Sequence, residues 1–268
     1  MINAKTLTRS LLIPKALQTL LSALAFCAFQ SGCGTQAEFT PLPIYTTMSD
    51  QDSLQRIAAR QSAINTVSAR CDLVLTDPQG QTVNLDGALL IMPVTTAGPK
   101  VRLRAWKLGQ TVFDITLTNG EAWLIAPDNP RIKGPDNTTG PVQISRRIAE
   151  ALDFIGPEFF ESAAIVSSTP TSITAKSATA NFTQTICVID RATLIPQRFT
   201  AGDQTASAGL ISEIFFYDYR LIGGIPWAHR LHLTSPGGTV VVNMSDVELN
   251  AELPPSAFVP PARAKQLP

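Results

Sequence analysis

Apolar residues recur at every second position in run after run, and this period of two constrains the fold more than any other feature. In the first run, Cys71, Leu73 and Leu75 alternate with other residues, Asp72 and Thr76 among them. The turn DPQG at 77–80 then leads into the next run, QTVNLDGALLIM. Such alternation is typical of strands with one buried face, so the two runs predict a β-hairpin.

The pattern continues to the end of the chain. Asn119-Gly120 separates two further runs, and this dipeptide is a strong hairpin signal. The later runs are SAAIVSS, TSITAKS, NFTQTICVID, ATLIPQRFTA, LISEIFFYDYR, WAHRLHLTS and TVVVNMSDVEL. Too little helix lies between them for the crossovers of a parallel sheet. The sequence therefore predicts a mainly β (α+β) fold built on an antiparallel sheet of about eleven strands.

Two segments instead have helical period, each with a single apolar stripe. The stripes consist of Leu54, Ile57, Ala58 and Ile64 in the first segment and of Ile144, Ile148, Leu152 and Ile155 in the second. Ser49 precedes the first segment, and Gly156-Pro157 ends the second in the manner expected of a helix C-terminus. We expect two helices that lay these stripes on an apolar surface.

The N-terminus has the layout of a signal peptide: Lys5, Arg9 and Lys15 without an acid, then the apolar run 16–29. That run is shorter than the roughly 20 residues of a spanning helix. The step Gly32-Cys33 resembles the lipobox of bacterial lipoproteins, which implies that Cys33 is acylated and becomes the mature N-terminus. The alternatives are a plain secretory signal with an incidental cysteine and an uncleaved membrane anchor.

Charge and motifs exclude several function classes. Removing residues 1–32 takes away three basic residues and no acid, which leaves 18 Lys and Arg against 21 Asp and Glu. This balance gives no basic face for nucleic acid. Nucleophile-elbow, zinc-protease and phosphate-loop motifs are absent from the sequence. His229 and His232 point to opposite faces of a strand, so we predict neither an enzyme nor a metal or cofactor site.

Cys71 and Cys187 are the cysteines that remain after the signal and the lipidation site. In an exported chain they have two fates, a disulfide or two buried free thiols on separate strands. The spacing of the two residues does not decide between these fates, because a disulfide depends on the distance between their Cα atoms.

Several short motifs together resemble the LolA/LolB superfamily of bacterial lipoprotein carriers. They are Met92-Pro93, the strand VRLRAW, the run AWLIAPDNP after Asn119-Gly120, and PPSAFVPP near the C-terminus. The resemblance implies an open, unclosed β-barrel whose helices cover an apolar cavity. It divides the chain into a signal peptide (1–32), a lipid anchor and tether (33–48), the LolA/LolB-like domain (49–262) and a C-terminal tail (263–268).

The resemblance also implies a function: a lipid-anchored envelope protein, on the periplasmic side of the outer membrane, that binds acyl chains of lipoproteins or another apolar ligand. The candidate ligand-binding residues are Arg102, Arg104, Trp106, Ile148, Leu152, Phe215 and Tyr217. The two arginines either bind lid backbone or a lipid head group, or form a solvated outer face. Phe215, Tyr217 and Tyr219 lie on one face of their run and are expected in the core or cavity wall. The rival hypothesis is a structural or regulatory lipoprotein of the same fold with a filled core. Oligomeric state carries no sequence signal.

Overall fold

The alternating runs pair with one another in a single antiparallel sheet. A computed structural model describes residues 40–45, 47–93, 99–119, 121–126, 156–177, 184–202, 211–235 and 237–266. Its strands are β1 (Val67–Thr76), β2 (Thr82–Met92), β3 (Lys100–Lys107), β4 (Gln110–Thr118), β5 (Glu121–Ile125), β6 (Ala164–Ser168), β7 (Ser172–Ser177), β8 (Gln184–Asp190), β9 (Pro196–Gly202), β10 (Ile211–Ile222), β11 (Ile225–Ser235), β12 (Gly238–Leu249) and β13 (Lys265–Gln266).

The strand order shows how the sheet is assembled and that it is not closed. From one edge to the other it reads β13-β5-β4-β3-β2-β1-β12-β11-β10-β9-β8-β7-β6. Two meanders, β1–β5 and β6–β12, thus meet where β1 pairs with β12, for example at Leu73 and Val242. In the described part of the chain, β6 and β13 occupy opposite edges. The predicted unclosed antiparallel sheet is confirmed.

The described residues form thirteen strands, where about eleven were predicted. The strand without a sequence signal is β13, in which Lys265 and Gln266 pair with Leu124 and Trp123 of β5. Two residues are too few to show a period of two, so alternation gives no sign of this strand. β13 lies within residues 263–268, which the sequence suggested were a tail.

The first predicted helix is confirmed as α1 (Asp50–Ser62). Ser49 caps it, since its Oγ accepts a hydrogen bond of 3.1 Å from the backbone N–H of Asp52. Leu54, Ile57 and Ala58 form its buried stripe. At its N-terminus Asp50 pairs with Arg191, and this bond lowers the pKa of the Asp50 carboxyl. α1 is therefore fixed to the β8–β9 turn.

A second, shorter helix, α2 (Glu158–Ser162), follows Gly156-Pro157. It buries Phe159 and Phe160, which meet Phe199 of β9 edge to face, with ring centroids 5.1 Å and 6.1 Å from it. α2 packs against α1 and β7. The helix predicted between Ile144 and Ile155 lies outside the described residues, so α2 is an additional element.

The segment that follows β12 lies on the outside of the sheet. After β12, a short 3-10 helix, Pro255–Phe258, contacts β3 and β4, and it buries Ala257 and Phe258. β4 is consequently covered on both faces: Phe113 and Ile115 point into the core, while Asp114 and Thr116 are buried beneath the C-terminal segment. No helix among the described residues has the length and apolar character needed to cross a bilayer.

Candidate ligand-binding site

A row of small side chains crosses the inner face of the sheet, the face whose residues form the hydrophobic core. Cys71 of β1 pairs with Gly87 of β2, and Gly87 pairs with Ala105 of β3. Phe113 of β4 and Met244 of β12 end the row. The Cys71 side chain lies over Gly87, since a Cβ there would be 2.8 Å from the Cys71 Sγ. Cys71, Ala105, Phe113 and Met244 are all buried, so the row is part of the hydrophobic core.

The two cysteines are free, buried thiols in the structure. Burial raises the pKa of the Cys71 thiol to about 12, and that of Cys187 well above its ordinary value. The disulfide, one of the two expected alternatives, is not formed. Cys71 and Cys187 belong to β1 and β8, with β12, β11, β10 and β9 between those strands in the sheet.

The other half of the inner face is occupied by the helices. α1 contributes Leu54 and Ile57, both fully buried, and it packs against α2 and β6. Phe160 and Phe199 are among the largest fully buried side chains. The two halves therefore differ: helical side chains fill the β6–β9 half, whereas β1–β3 carry the row of small residues among larger ones such as Leu73 and Leu103.

Arg102 and Arg104 converge on one carboxylate on the outer face. Arg102 donates two hydrogen bonds to Asp114, from Nε at 3.0 Å and Nη2 at 2.9 Å, and Arg104 Nε donates a third at 3.0 Å. The Asp114 side chain is 4% exposed, against 17% for Arg102 and 51% for Arg104. Hydrogen bonding to Asp114 raises the pKa of Arg102. This cluster is a largely buried ion-pair network.

Arg102 also binds backbone, since its Nη1 donates to the Ala257 carbonyl at 3.0 Å. Of the two sequence interpretations, the solvated outer face describes Arg104 but not Arg102, which lies under the C-terminal segment. Trp106 follows on the same strand and is half-buried. Because Asp114 already engages both arginines, their role toward a ligand stays a prediction, while their role toward the C-terminal segment is direct.

Phe215 and Tyr217 lie on the face opposite the core. Their rings stack at 6.2 Å, and the Arg230 guanidinium lies 5.8 Å from the Tyr217 centroid. Tyr217 is 43% exposed, whereas the intervening Phe216 packs against Phe199. This corrects the expected position of these two residues, whereas Tyr219 packs against the core as expected. Ile214 to Tyr217 are all apolar or aromatic, so alternation could not decide which set faces inward.

Three of the predicted site residues lie outside the described residues: the lipidation site Cys33 and the second-helix residues Ile148 and Leu152. The structure tests none of these three predictions.

Sequence reasoning missed a buried cation at the end of α1. Arg60 Nη2 donates to the carbonyl of Leu194 in the β8–β9 turn. Arg60 Nη1 is also buried. Burial lowers the pKa of this guanidinium, and the nearby hydroxyls of Tyr45 and Tyr219 offset part of that effect. A signal was available, because Arg60 follows Ile57 by three positions and so stands on the edge of the apolar stripe.

Comparison with known proteins identifies the fold. No protein-family model and no curated protein matches the sequence. Among solved structures, a domain named for outer-membrane lipoprotein sorting from Vibrio parahaemolyticus is 16% identical with a TM-score of 0.55, over 78% of this chain and 95% of that one. A LolA superfamily protein from Nitrosomonas europaea is 11% identical with a TM-score of 0.53, over 79% and 98%.

A DUF1329 family protein from Desulfovibrio piger is similar to the same extent, at 10% identity and a TM-score of 0.56, over 78% of this chain and 95% of that one. None of these three structures bears the name of an enzyme. At such identities the likeness concerns the fold alone, and the LolA-like fold predicted from the sequence is confirmed at that level.

Proposed function

We propose that this protein is a lipid-anchored protein of the bacterial envelope that binds acyl chains against the inner face of its sheet. Cys33 carries the anchor, and residues 33–48 tether the domain to the outer membrane on its periplasmic side. The bound chains belong to lipoproteins or to other lipids in transit to that membrane. The fold shared with a domain named for outer-membrane lipoprotein sorting supports this proposal, although a fold alone does not fix a function.

The observation that carries the proposal is the row of small residues, Cys71, Gly87 and Ala105, on the inner face. An acyl chain needs a continuous apolar surface with room beside it. The side chains between Phe113 and Met244 are smaller than Leu or Phe, which supports this row as the place where a chain enters the core. In this proposal the predicted second helix covers the row as a lid, with Ile148 and Leu152 in contact with the chain.

A second candidate function is a structural or regulatory lipoprotein with a filled core. The packing of α1, α2 and Phe199 favours it, because that half of the inner face already holds fully buried side chains. The two candidates differ in what lies against Ala105: a space for a ligand, or other side chains.

The test is to fill the row at Ala105 and to make the same change on the outer face. Ala105→Phe places a ring on the inner face, and Ala88→Phe, opposite Arg104 on the neighbouring strand, is the matched control. We expect Ala105→Phe to abolish uptake of a fluorescent acyl probe by the delipidated protein, with little loss of stability, and Ala88→Phe to bind normally.

A filled core gives the opposite pattern. There the wild-type protein takes up no probe, and Ala105→Phe lowers the free energy of unfolding by about 1–3 kcal/mol through overpacking. That result would replace the transport proposal with the structural one.

A further inference from the structure

We infer that the outer face of the sheet around β12 binds a second copy of this chain, in a two-fold symmetric dimer. The inference goes beyond the proposed acyl binding and does not depend on it, because it concerns the face opposite the core. It rests on the order of side chains in one row of paired residues that crosses the strands. That row consists of Tyr217, Arg230, Asn243, Asp72 and Asp86.

The cationic end of the row has no acid of its own chain. The Arg230 side chain is exposed, and its guanidinium lies over the ring of Tyr217, which is itself 43% exposed. None of the ion pairs of the described residues includes Arg230. The guanidinium is therefore available to an acceptor that approaches the outer face.

The acidic end of the row lacks a cation. Asp72 of β1 and Asp86 of β2 are paired directly across the two strands, and both are exposed. Like charges at directly opposite positions of neighbouring strands are destabilising. Neither carboxylate belongs to an ion pair within the described part of the chain. The two acids therefore favour a cation supplied from outside the chain.

A two-fold axis that runs parallel to the strands above Asn243 brings the two ends together. The rotation turns the outer face of the second copy toward the first and reverses the direction of the row. Arg230 of each copy then faces Asp72 of the other, and the Tyr217 hydroxyl faces Asp86, to which it can donate a hydrogen bond. An isologous interface requires such self-complementarity, and complementary charges fix its register.

The two neighbouring rows fit the same axis. The first consists of Phe215, His232, Val241, Val74 and Asn84. Val241 lies on the axis there and meets its own copy, while His232 faces Val74. The next row carries four threonines, Thr234, Thr239, Thr76 and Thr82. Its one acid, Glu213, already pairs with Arg198. Neither row therefore places like charges against each other.

The size of this face predicts a weak dimer. Five strands about 4.8 Å apart and three rows about 6.7 Å apart cover about 24 Å by about 20 Å. This corresponds to about 500 Å² on each copy and about 1,000 Å² in total, the lower limit for a specific interface. We therefore expect a dissociation constant in the micromolar range or weaker, which rises with salt because the charge pairs are near solvent.

The experiment reverses one charge at each end of the row. Sedimentation equilibrium of the delipidated full chain, at concentrations up to about 0.5 mM, measures the association of the wild-type protein, Arg230→Asp, Asp72→Arg and an equimolar mixture of these two variants. Lys176→Asp is the matched control, since Lys176 is an exposed cation of β7, separated from β11 by β8, β9 and β10.

We expect the wild-type protein and Lys176→Asp to dimerise alike. Arg230→Asp and Asp72→Arg should each self-associate about tenfold more weakly or worse, because the two-fold axis repeats the repulsive contact. The mixture should regain the wild-type association, since both contacts of the mixed dimer join opposite charges. Circular dichroism confirms that each variant is folded.

Three results would overturn the inference. A wild-type chain that stays monomeric up to about 0.5 mM removes the dimer. Wild-type association of either single variant places the contact on another face. A mixture that does not associate better than its two components removes the pairing of Arg230 with Asp72, and the two-fold axis with it. None of these results bears on the proposed acyl binding, which the probe experiment tests separately.

Discussion

Asp114→Ala is expected to be among the most destabilising single changes on the outer face of this sheet. The carboxylate is 4% exposed and accepts hydrogen bonds from Arg102 and Arg104 at 2.9–3.0 Å. Removal of the acid leaves Arg102, itself 17% exposed, without a counterion beneath the C-terminal segment. An uncompensated charge of this kind is much more costly than the loss of a surface contact.

The magnitude follows from the burial of the pair. Loss of one member of a buried ion pair lowers stability by about 3–5 kcal/mol. We take the lower end, about 3 kcal/mol, because Arg104 is 51% exposed and Arg102 keeps its bond to the Ala257 carbonyl. Arg70→Ala is the matched control: it breaks an ion pair with Asp246 at 3.9 Å, in which both side chains are at least 72% exposed. For that pair we expect at most about 0.5 kcal/mol.

Urea denaturation of the two variants and the wild-type protein measures both effects as changes in the free energy of unfolding. A loss of about 3 kcal/mol corresponds to a decrease in melting temperature of roughly 6–12 °C for a chain of this size. Limited proteolysis should also cleave near Ala257 sooner in Asp114→Ala, since Arg102 no longer holds that segment from a fixed position. If Asp114→Ala and Arg70→Ala differ by less than about 1 kcal/mol, the network does not hold the C-terminal segment.

The period of the apolar residues was sufficient to predict helices and strands that have one buried face and are long enough for the period to repeat. The stripe of Leu54 and Ile57 with Ser49 before it predicts α1, and the structure has that helix, capped by Ser49. The alternation of Cys71 and Leu73 likewise predicts β1 and its buried face. In these segments local pattern and tertiary packing agree, so the sequence alone determines the outcome.

Where the pattern is short or symmetrical, tertiary contacts decide. Phe215 and Phe216 are equally apolar, and the sheet buries Phe216 against Phe199 while Phe215 faces outward. The burial of Asp114 could not be predicted either. Alternation places this acid on the polar face of β4, and it is buried only because the C-terminal segment returns to cover that face. Arg60 was missed because charged residues are usually solvated, and the β8–β9 turn that encloses it is about 130 residues away.

Two further predictions concern the cysteines. Cys33→Ser should move the protein from the membrane fraction to the soluble one, since stable anchoring requires the acyl chains that Cys33 is proposed to carry; persistence in the membrane would place the anchor elsewhere. The second concerns pH. Because burial raises the pKa of Cys71 to about 12, the unfolded chain releases this proton at lower pH than the folded one. The free energy of unfolding therefore decreases as pH rises from about 9 toward 12, by about 1.4 kcal/mol per pH unit, because in this range the thiol is ionised only in the unfolded chain. Cys71→Ala should remove this decrease from the plot of unfolding free energy against pH. Parallel plots for the variant and the wild-type protein would show that the thiol ionises equally in the folded and the unfolded chain.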